Sequence, residues 1–278
     1  MNYYITGDIH GNFNDLKNRI LKTDIVMSDC LIILGDAGFN YFRTKTDINL
    51  KAKANELGIT LFCIHGNHEI RPQNIDSYQA MMWNGGTVWY QPEFPNILFA
   101  KDGEIYNING NKTLVIGGAY SVDKYYRAIR YYLTNLRDIP IDIFTSLLHV
   151  SEKGSNEKAR VDRFLSNIEN TDKIGWWKDE QISDDDIDKI NKLIKEDNNF
   201  DIVLSHTCPQ KFEPTEVFLP SVNQDEVDKR MELWLNDIES NINYKKWFAG
   251  HYHIDKVLNN GFEFLFGLVK KIEAKTND

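Results

Sequence analysis

The sequence predicts an α/β protein, α+β by some schemes, in which a β-sandwich is flanked by helices. Continuous apolar runs alternate with helix-like stretches in the first third of the chain, which is typical of buried parallel strands. Short apolar segments joined by turn residues follow between residues 87 and 118. After a helical region, apolar runs return at residues 201–204 and 246–249. These observations predict strand–helix units in front and antiparallel strands behind.

The first third provides the strand–helix units. The predicted strands are residues 3–5, 30–34 and 59–64, and the predicted helices are residues 12–21 and 47–57. Phe13, Leu16 and Ile20 recur at helical spacing and support the first helix. Each strand runs directly into a turn rich in Gly, Asp or Asn, so we expect the turns to meet at one edge of the sheet.

The remaining strands are shorter and follow turn chemistry. We expect them at residues 87–90, 97–100, 104–107, 113–116, 201–204 and 246–249, with 262–268 as a closing strand. Asn109-Gly110 predicts a hairpin turn, because both residue types tolerate positive φ.

The region from 125 to 197 is expected to be largely helical. Ser183 is the predicted N-cap of a helix whose first turn contains Asp184, Asp185 and Asp186. We interpret residues 141–170 as a helical insertion that caps a site, forms an interface, or is a peripheral layer without a catalytic role. No repeat or linker divides the chain, so we expect one domain covering residues 1–278.

Composition restricts the classes of protein to consider. With 278 residues, 42% hydrophobic and 26% charged, the sequence is typical of a globular protein. A net charge of −9 argues against a broad nucleic-acid surface, but it permits an anionic substrate if metal ions supply positive charge. We see no export signal and no apolar stretch that could span a bilayer, so we expect a cytoplasmic protein without a membrane partner. Cys30, Cys63 and Cys208 are expected to be buried free thiols.

Six of the seven histidines lie in Gly- and Asp-rich turns that follow predicted strands. Together with one further Gly-Asp turn, these segments are Gly7-Asp8-Ile9-His10-Gly11, Gly35-Asp36-Ala37-Gly38, His65-Gly66-Asn67-His68-Glu69, Ser205-His206 and Gly250-His251-Tyr252-His253. Carboxylate and amide oxygens and imidazole nitrogens are metal ligands. The pattern therefore predicts a metal centre.

In their order along the chain, these motifs resemble those of the calcineurin-like metallophosphoesterases. The matching elements are Asp8-x-His10-Gly11, Gly35-Asp36, Gly66-Asn67-His68-Glu69, His206 and Gly250-His251-x-His253. Five motifs in the right order are far more specific than any one of them. The resemblance implies a four-layer α/β/β/α sandwich with a helical insertion.

The resemblance also implies a role for each motif residue. Asp8, His10 and His253 would hold one metal ion, and Asn67, His206 and His251 would hold a second. Asp36 would bridge the two ions, which would be divalent or trivalent Mn, Fe or Zn. A hydroxide shared by the ions would attack a phosphate mono- or diester. His68 would donate a proton to the leaving oxygen or hold the phosphoryl group.

Each of these residues also has an ordinary structural interpretation when it is taken singly. Asp8 and Asp36 fit turn caps, Asn67 fits a left-handed turn, and His251 and His253 fit a solvent-facing loop. These interpretations leave the shared order of the motifs unexplained. His65 is expected to be structural or to support a ligand, His149 to be packed or at the surface, and Cys208 to be a packing residue.

Two segments outside the motifs have open interpretations. Arg71 and Arg127, the latter in the segment Lys124-Tyr125-Tyr126-Arg127, either reach a substrate phosphate or lie on the solvated surface. Trp176-Trp177 either stacks on a nucleobase or packs a helix.

One departure from the family bears on the substrate. In the protein Ser/Thr phosphatases of this superfamily, a further Asp and an Arg follow the second Gly-Asp, whereas Ala37-Gly38-Phe39-Asn40 stand here. We therefore expect a bacterial or phage type of phosphoesterase acting on a small molecule or nucleotide, and we disfavour a phosphoprotein phosphatase. Two alternatives stay open: a nuclease or cyclic-nucleotide phosphodiesterase, and a non-catalytic metal-binding scaffold.

Overall fold

The computed structural model describes residues 1–150, 156–168 and 171–276. Within these ranges the strands are β1 (Tyr3–Thr6), β2 (Cys30–Ile33), β3 (Thr60–Cys63), β4 (Gln79–Trp83), β5 (Gly86–Gln91), β6 (Phe94–Ala100), β7 (Ile105–Ile108), β8 (Asn111–Ile116), β9 (Ile202–Ser205), β10 (Lys246–Ala249), β11 (Lys256–Val257), β12 (Phe262–Phe264) and β13 (Lys270–Ile272). The first sheet has the order β13-β1-β2-β3-β6-β5-β4 and the second β11-β12-β10-β9-β8-β7.

The helices of the same ranges are α1 (Phe13–Leu21), α2 (Lys45–Asn55), α3 (Lys124–Thr134), α4 (Ile141–Leu148), α5 (Asn156–Asn167), α6 (Asp184–Glu196) and α7 (Arg230–Asn241). Asn12 caps α1 by accepting a hydrogen bond from the Asp15 amide. Ser183 caps α6 through the Asp186 amide, as the sequence predicts. None of these helices has both the length and the apolarity to cross a bilayer.

The four-layer arrangement follows from where the apolar faces pack. A central core joins the two sheets, with Ile5 and Phe62 from the first and Val115 and Leu204 from the second. Outside the first sheet, apolar residues of α1 and α2 pack on β2 and β3. Outside the second, α6 and α7 pack on β8, β9 and β10. The predicted α/β/β/α sandwich is confirmed.

The expectation of antiparallel strands behind is wrong for most of the second sheet. There β8, β9, β10 and β12 are successive parallel neighbours. Parallel pairing requires long crossovers, and the helices between β8 and β9 and between β9 and β10 provide them. The antiparallel strands β4, β5 and β6 instead extend the first sheet.

The expected closing strand at residues 262–268 is only partly formed, because β12 ends at Phe264 and the next strand, β13, begins at Lys270. β12 belongs to the second sheet and β13 to the first. Between them the Asp255 carboxylate accepts hydrogen bonds from the amides of Phe266, Gly267 and Leu268. This carboxylate holds the chain where it passes from one sheet to the other. The hairpin prediction is confirmed, with φ of 54° at Asn109 and 83° at Gly110.

The helices α3, α4 and α5 share a core of their own. Ala128 and Tyr132 of α3 pack with Phe144 and Leu147 of α4 and with Leu165 of α5. Residues 151–155 and 169–170, which belong to the expected insertion, lie outside the described residues. The insertion and the single-domain organisation stay predictions.

Candidate metal centre

The parallel strands bring the sequence motifs to one edge of the sandwich. Asp8 follows β1, Asp36 follows β2 and Asn67 follows β3, and these three strands are parallel neighbours. In the second sheet, His206 follows β9, while His251 and His253 follow its parallel neighbour β10. The motif residues therefore converge although they are far apart along the chain.

The turns that carry the motif residues have unusual backbone conformations. Positive φ angles occur at His10 (48°), Asp36 (48°), His251 (65°) and His253 (52°). Such conformations are uncommon for residues other than glycine and cluster at functional sites. The Asp36 carbonyl accepts hydrogen bonds from the amides of Ile9 and His10 at 3.2 and 2.7 Å, so the first two motif turns are held together.

Two glycines allow the donor side chains to approach the backbone. A Cβ atom on Gly66 would lie 1.9 Å from Asp36 Oδ1, and one on Gly35 would lie 2.0 Å from His206 Nδ1. Gly35 also has a φ of +93°, which side chains rarely tolerate. The Gly-Asp and Gly-Asn motifs thus reflect close packing around the carboxylate and imidazole.

Asp8, His10 and His253 form the first group of donors. Asp8 Oδ2 lies 3.2 Å from His253 Nε2 and 3.7 Å from His10 Nε2, and the two Nε2 atoms are 2.9 Å apart. No described residue forms a hydrogen bond of good geometry with Asp8 Oδ2, although this atom is buried. A buried carboxylate oxygen without a donor is expected where a cation binds.

His206, Asn67 and Asp36 form the second group. His206 Nδ1 is 2.7 Å from the Leu34 carbonyl, which can only accept, so Nδ1 carries a proton and, in the neutral imidazole, Nε2 presents a lone pair. This Nε2 lies 3.0 Å from Asn67 Oδ1 and 3.6 Å from Asp36 Oδ2.

The orientation of the Asn67 amide is fixed independently. Its Nδ2 donates to Ser121 Oγ at 2.8 Å, so its oxygen must face His206. With His206 neutral, a lone pair, an amide oxygen and a carboxylate oxygen therefore converge with no proton among them. Such an arrangement is repulsive without a cation, so these residues fit a metal ion.

The protonation states also suit metal binding. Burial opposes ionisation of Asp36, but His206, His68 and His10 outweigh it and hold the pKa of this carboxyl well below its usual range. Burial lowers the pKa of His251 to about 3, so this imidazole is neutral at pH 7. The His251 ring lies 5.0 Å from that of His206. Ionised carboxylates and neutral imidazoles are the forms that coordinate metals.

His68 lies beside the donors and contacts an arginine. Its amide donates to Asp36 Oδ1 at 2.7 Å, and its ring meets the His10 ring edge-on at 5.0 Å. His68 Nε2 is 3.0 Å from Arg127 Nη2, and because a guanidinium only donates, Nε2 is the acceptor. Burial, with a contribution from Arg127, lowers the pKa of His68.

Arg127 is held in place by several acceptors. Nη2 donates to Ser121 Oγ at 3.0 Å and to Asp123 Oδ1 at 2.5 Å, and Nη1 donates to the Gly175 carbonyl. The side chain is therefore a fixed positive charge against His68. Sequence reasoning left Arg127 between a phosphate ligand and the solvated surface, and the surface interpretation is wrong because the residue is 7% exposed.

The other open interpretations are decided by burial. Arg71 is also buried, and it pairs with Asp102 at 2.5 Å in a cavity that includes His65 and is separate from the metal-centre residues. Trp176 and Trp177 are buried, and Trp176 packs in the core of α3–α5. Cys208 is a buried packing residue, all three cysteines are free and buried, and His149 is exposed at the end of α4.

A cavity of about 500 Å³ opens beside the donors, a size typical of small-molecule sites. Its first end is lined by His10, Asp36, Asn67, His68, His251 and His253. Its other end is lined by residues that the sequence did not single out, among them Glu213, Phe218, Lys229 and Glu232.

Ser121 and Asp123 were also missed from the sequence. They follow β8 and the glycines Gly117 and Gly118, so they too lie beyond the carboxyl end of a parallel strand. The rule that identified the histidine motifs would have found them. They lack a histidine or a Gly-Asp pair, which is why they received no attention.

A sandwich with carboxylate, amide and imidazole donors at its strand ends is the architecture of a metallohydrolase. The sequence matches the family model described as calcineurin-like phosphoesterase over residues 1–255, and the chain therefore belongs to that family. The family is one of metal-dependent hydrolases of phosphate esters. No curated protein matches the sequence. The family prediction made from the motifs is confirmed, whereas the bacterial or phage type stays a prediction.

Proposed function

We propose that this chain hydrolyses the phosphate ester of a small molecule or nucleotide, mono- or diester, with two metal ions. The observation that carries the proposal is the second donor group, in which His206 Nε2 lies 3.0 Å from Asn67 Oδ1 and 3.6 Å from Asp36 Oδ2. Manganese, iron and zinc are the ions that such mixed nitrogen and oxygen donors favour.

The assignment of residues to the ions is the one that the resemblance implies, and the grouping of donor atoms supports part of it. Asp8, His10 and His253 offer ligand atoms within 4.8 Å of one another, and so do Asp8, Asp36 and His206. We assign the first trio to one ion and Asn67, His206 and His251 to the other. Asp36 lies against donors of both groups, which supports its role as the bridge.

When bound, the two ions would supply positive charge at the phosphate and lower the pKa of water, giving a nucleophile at neutral pH. The protein's own part in the reaction centres on His68. We assign it to the leaving oxygen or the phosphoryl group. Arg127 orients this imidazole through Nε2, so the proton is on the other ring nitrogen. In this neutral form His68 acts as a hydrogen-bond donor, and proton donation to the leaving oxygen would require the imidazolium.

The size and charge of the site favour a small substrate over a nucleic acid. The cavity of about 500 Å³ accommodates a nucleotide-sized molecule. The net charge of −9 provides no general attraction for a polyanion. A nuclease and a non-catalytic scaffold thus remain alternatives that the assay below must exclude.

The test is hydrolysis of p-nitrophenyl phosphate and of its bis-ester by metal-free protein to which Mn²⁺, Zn²⁺ or Fe²⁺ is added back. We expect turnover with at least one ion, inhibition by a chelator, and loss of turnover in His206→Ala. The matched control is His149→Ala, an exposed histidine on α4, which should behave as the unmodified protein. Binding of metal without hydrolysis of either ester or of single-stranded DNA or RNA would favour the scaffold.

A further inference from the structure

The cavity extends beyond the metal-centre residues into a second chamber, which we call the annex. Its walls come from residues 213–232 and from the loop after β10. The members are the apolar Val217, Phe218, Leu219, Val222 and Val227 and the polar Glu213, Gln224, Lys229, Glu232 and Tyr252. The annex residues line the same cavity as the metal-centre residues, so one molecule can place its phosphate at the metal centre and another of its groups in the annex.

Glu232 is a buried polar residue of the annex whose hydrogen bonding to the described residues is incomplete. It is 4% exposed, and its Oε1 accepts a hydrogen bond from Thr207 Oγ1 at 2.7 Å. Its Oε2 is buried and has no hydrogen-bond partner among the described residues. Burial raises the pKa of Glu232 to about 7. A buried carboxylate oxygen that lines a cavity without a donor is costly unless a ligand provides one.

The neighbouring cation does not satisfy Glu232. Lys229 Nζ donates to both carboxylate oxygens of Glu213 at 2.8 Å, and it lies 4.8 Å from the centre of the Phe218 ring. The Tyr252 hydroxyl also donates to Glu213, at 3.3 Å. Among the described lining residues the annex thus offers a carboxylate acceptor and no uncommitted cation, so it suits a hydrogen-bond donor and not a second phosphate.

The rest of the annex is apolar and partly aromatic. The Phe218 ring stacks on Tyr252 at 6.2 Å, and Val217, Val222 and Val227 line the same chamber. Such walls favour a flat or apolar group.

We propose that the annex binds the leaving group of the substrate, an apolar ring that carries an N–H donor to Glu232, as the base of a nucleoside phosphate does. This inference rests on the proposed function for the phosphate end of the site. It makes Glu232 a residue that determines substrate specificity.

The test compares substrates that differ in one exocyclic amine. Adenosine 5′-monophosphate is compared with purine riboside 5′-monophosphate, and guanosine with inosine 5′-monophosphate. We expect kcat/KM to be roughly 10- to 100-fold higher for an amine-bearing nucleotide, the range for a hydrogen bond to a charged group. In Glu232→Gln this preference should fall several-fold, because the amide no longer offers a carboxylate. An equal preference in both proteins would overturn the inference.

Asp237→Asn is the matched control, since it removes a carboxylate from an exposed position of the same helix. Phe218→Leu, a change at a partly exposed wall residue, is the second variant if Glu232→Gln does not fold. It should raise KM for the nucleotides more than KM for p-nitrophenyl phosphate.

Two further measurements separate this inference from the proposed function. Calorimetry with free adenosine and free purine riboside reports on the annex even if no ester is hydrolysed, and tighter binding of adenosine supports the annex. Turnover of p-nitrophenyl phosphate with neither amine preference nor nucleoside binding would overturn the annex and leave the proposed function standing. A preference for 4-acetamidophenyl phosphate over p-nitrophenyl phosphate, without one among nucleotides, would assign the N–H donor to a non-nucleotide ring.

Discussion

The two ends of the cavity are built in different ways. At the metal end, the donors sit on short turns directly after parallel strands, and the turns are fixed by glycines and positive φ angles. At the other end, the side chains come from α7, from the irregular segment that precedes α7 and from the loop after β10. The first end is specified by short local motifs, whereas the second depends on contacts between distant parts of the chain.

This difference separates chemistry from recognition. The motif turns determine which atoms can surround a metal ion. Arg127, which Ser121 helps to hold, determines how His68 is oriented. Glu232 determines which group is bound beyond the phosphate. Substitutions at the metal end should therefore abolish both metal binding and turnover, whereas substitutions at the other end should reduce turnover while metal binding persists.

The largest effect is expected for Asp36→Asn. The change preserves shape but removes the charge that lies between the two donor groups, so we expect turnover to fall on the order of 10³-fold, beyond the roughly 10- to 100-fold typical of supporting residues. A ligand that binds only the folded state stabilises it by about 2.7 kcal/mol when its free concentration is 100 times its Kd, and metal ions act in the same way. The rise in Tm on adding Mn²⁺ should therefore shrink in this variant, as measured by calorimetry.

The control for Asp36 is Asp188→Asn, an exposed carboxylate on α6. It should keep both the turnover and the metal-induced rise in Tm. An Asp36→Asn protein that retains full turnover would contradict the bridging role.

The second effect concerns Arg127, which contacts His68 at 3.0 Å and is not one of the proposed metal ligands. For Arg127→Ala we expect a fall in kcat of roughly 10- to 100-fold with a smaller change in KM, because the residue acts by positioning His68. Arg127→Lys should recover part of the loss, and the metal-induced rise in Tm should persist.

Arg130→Ala is the matched control, as Arg130 is exposed on the same helix. If Arg127→Ala also removes the metal-induced rise in Tm, the distinction between residues that bind metal and residues that position His68 is wrong.

The metal end could be predicted from the sequence because its determinants are local. Asp8, Asp36 and Asn67 each follow an apolar strand within a few residues, and parallel pairing brings such positions together without further information. The motifs supplied the proposed roles through resemblance. The geometry now supplies the convergence, with distances of 2.9 to 3.7 Å among donor atoms within the two groups.

The roles of Arg127 and Glu232 could not be predicted, because the burial of these charged side chains depends on partners that are distant along the chain. Arg127 is buried against the Gly175 carbonyl, 48 residues away, and Glu232 against Thr207, 25 residues away. When only the sequence is known, charged residues on a helix are predicted to lie on its solvent-exposed face. For similar reasons the parallel second sheet and the end of the closing strand at Phe264 escaped prediction, since strand pairing is a non-local property.

The smallest effect is expected for Ser121→Ala, which tests whether Asn67 and Arg127 are energetically coupled. Ser121 Oγ accepts a hydrogen bond from Asn67 at 2.8 Å and another from Arg127 at 3.0 Å, so one hydroxyl joins a proposed metal ligand to the residue that positions His68. Its loss leaves a buried Asn67 amide unpaired, which costs about 1–3 kcal/mol of stability, and we expect turnover to fall roughly tenfold.

The decisive measurement is a double-mutant cycle of Ser121→Ala with Arg127→Lys, with kcat as the readout. If the Ser121 hydroxyl couples Arg127 to Asn67, the effects of the two substitutions on kcat are not additive, as expected of residues that share a hydrogen-bond network. Ser121→Thr, which retains the hydroxyl, should recover most of the turnover if the wider side chain is accommodated. Additive effects on kcat would mean that Asn67 and Arg127 act independently.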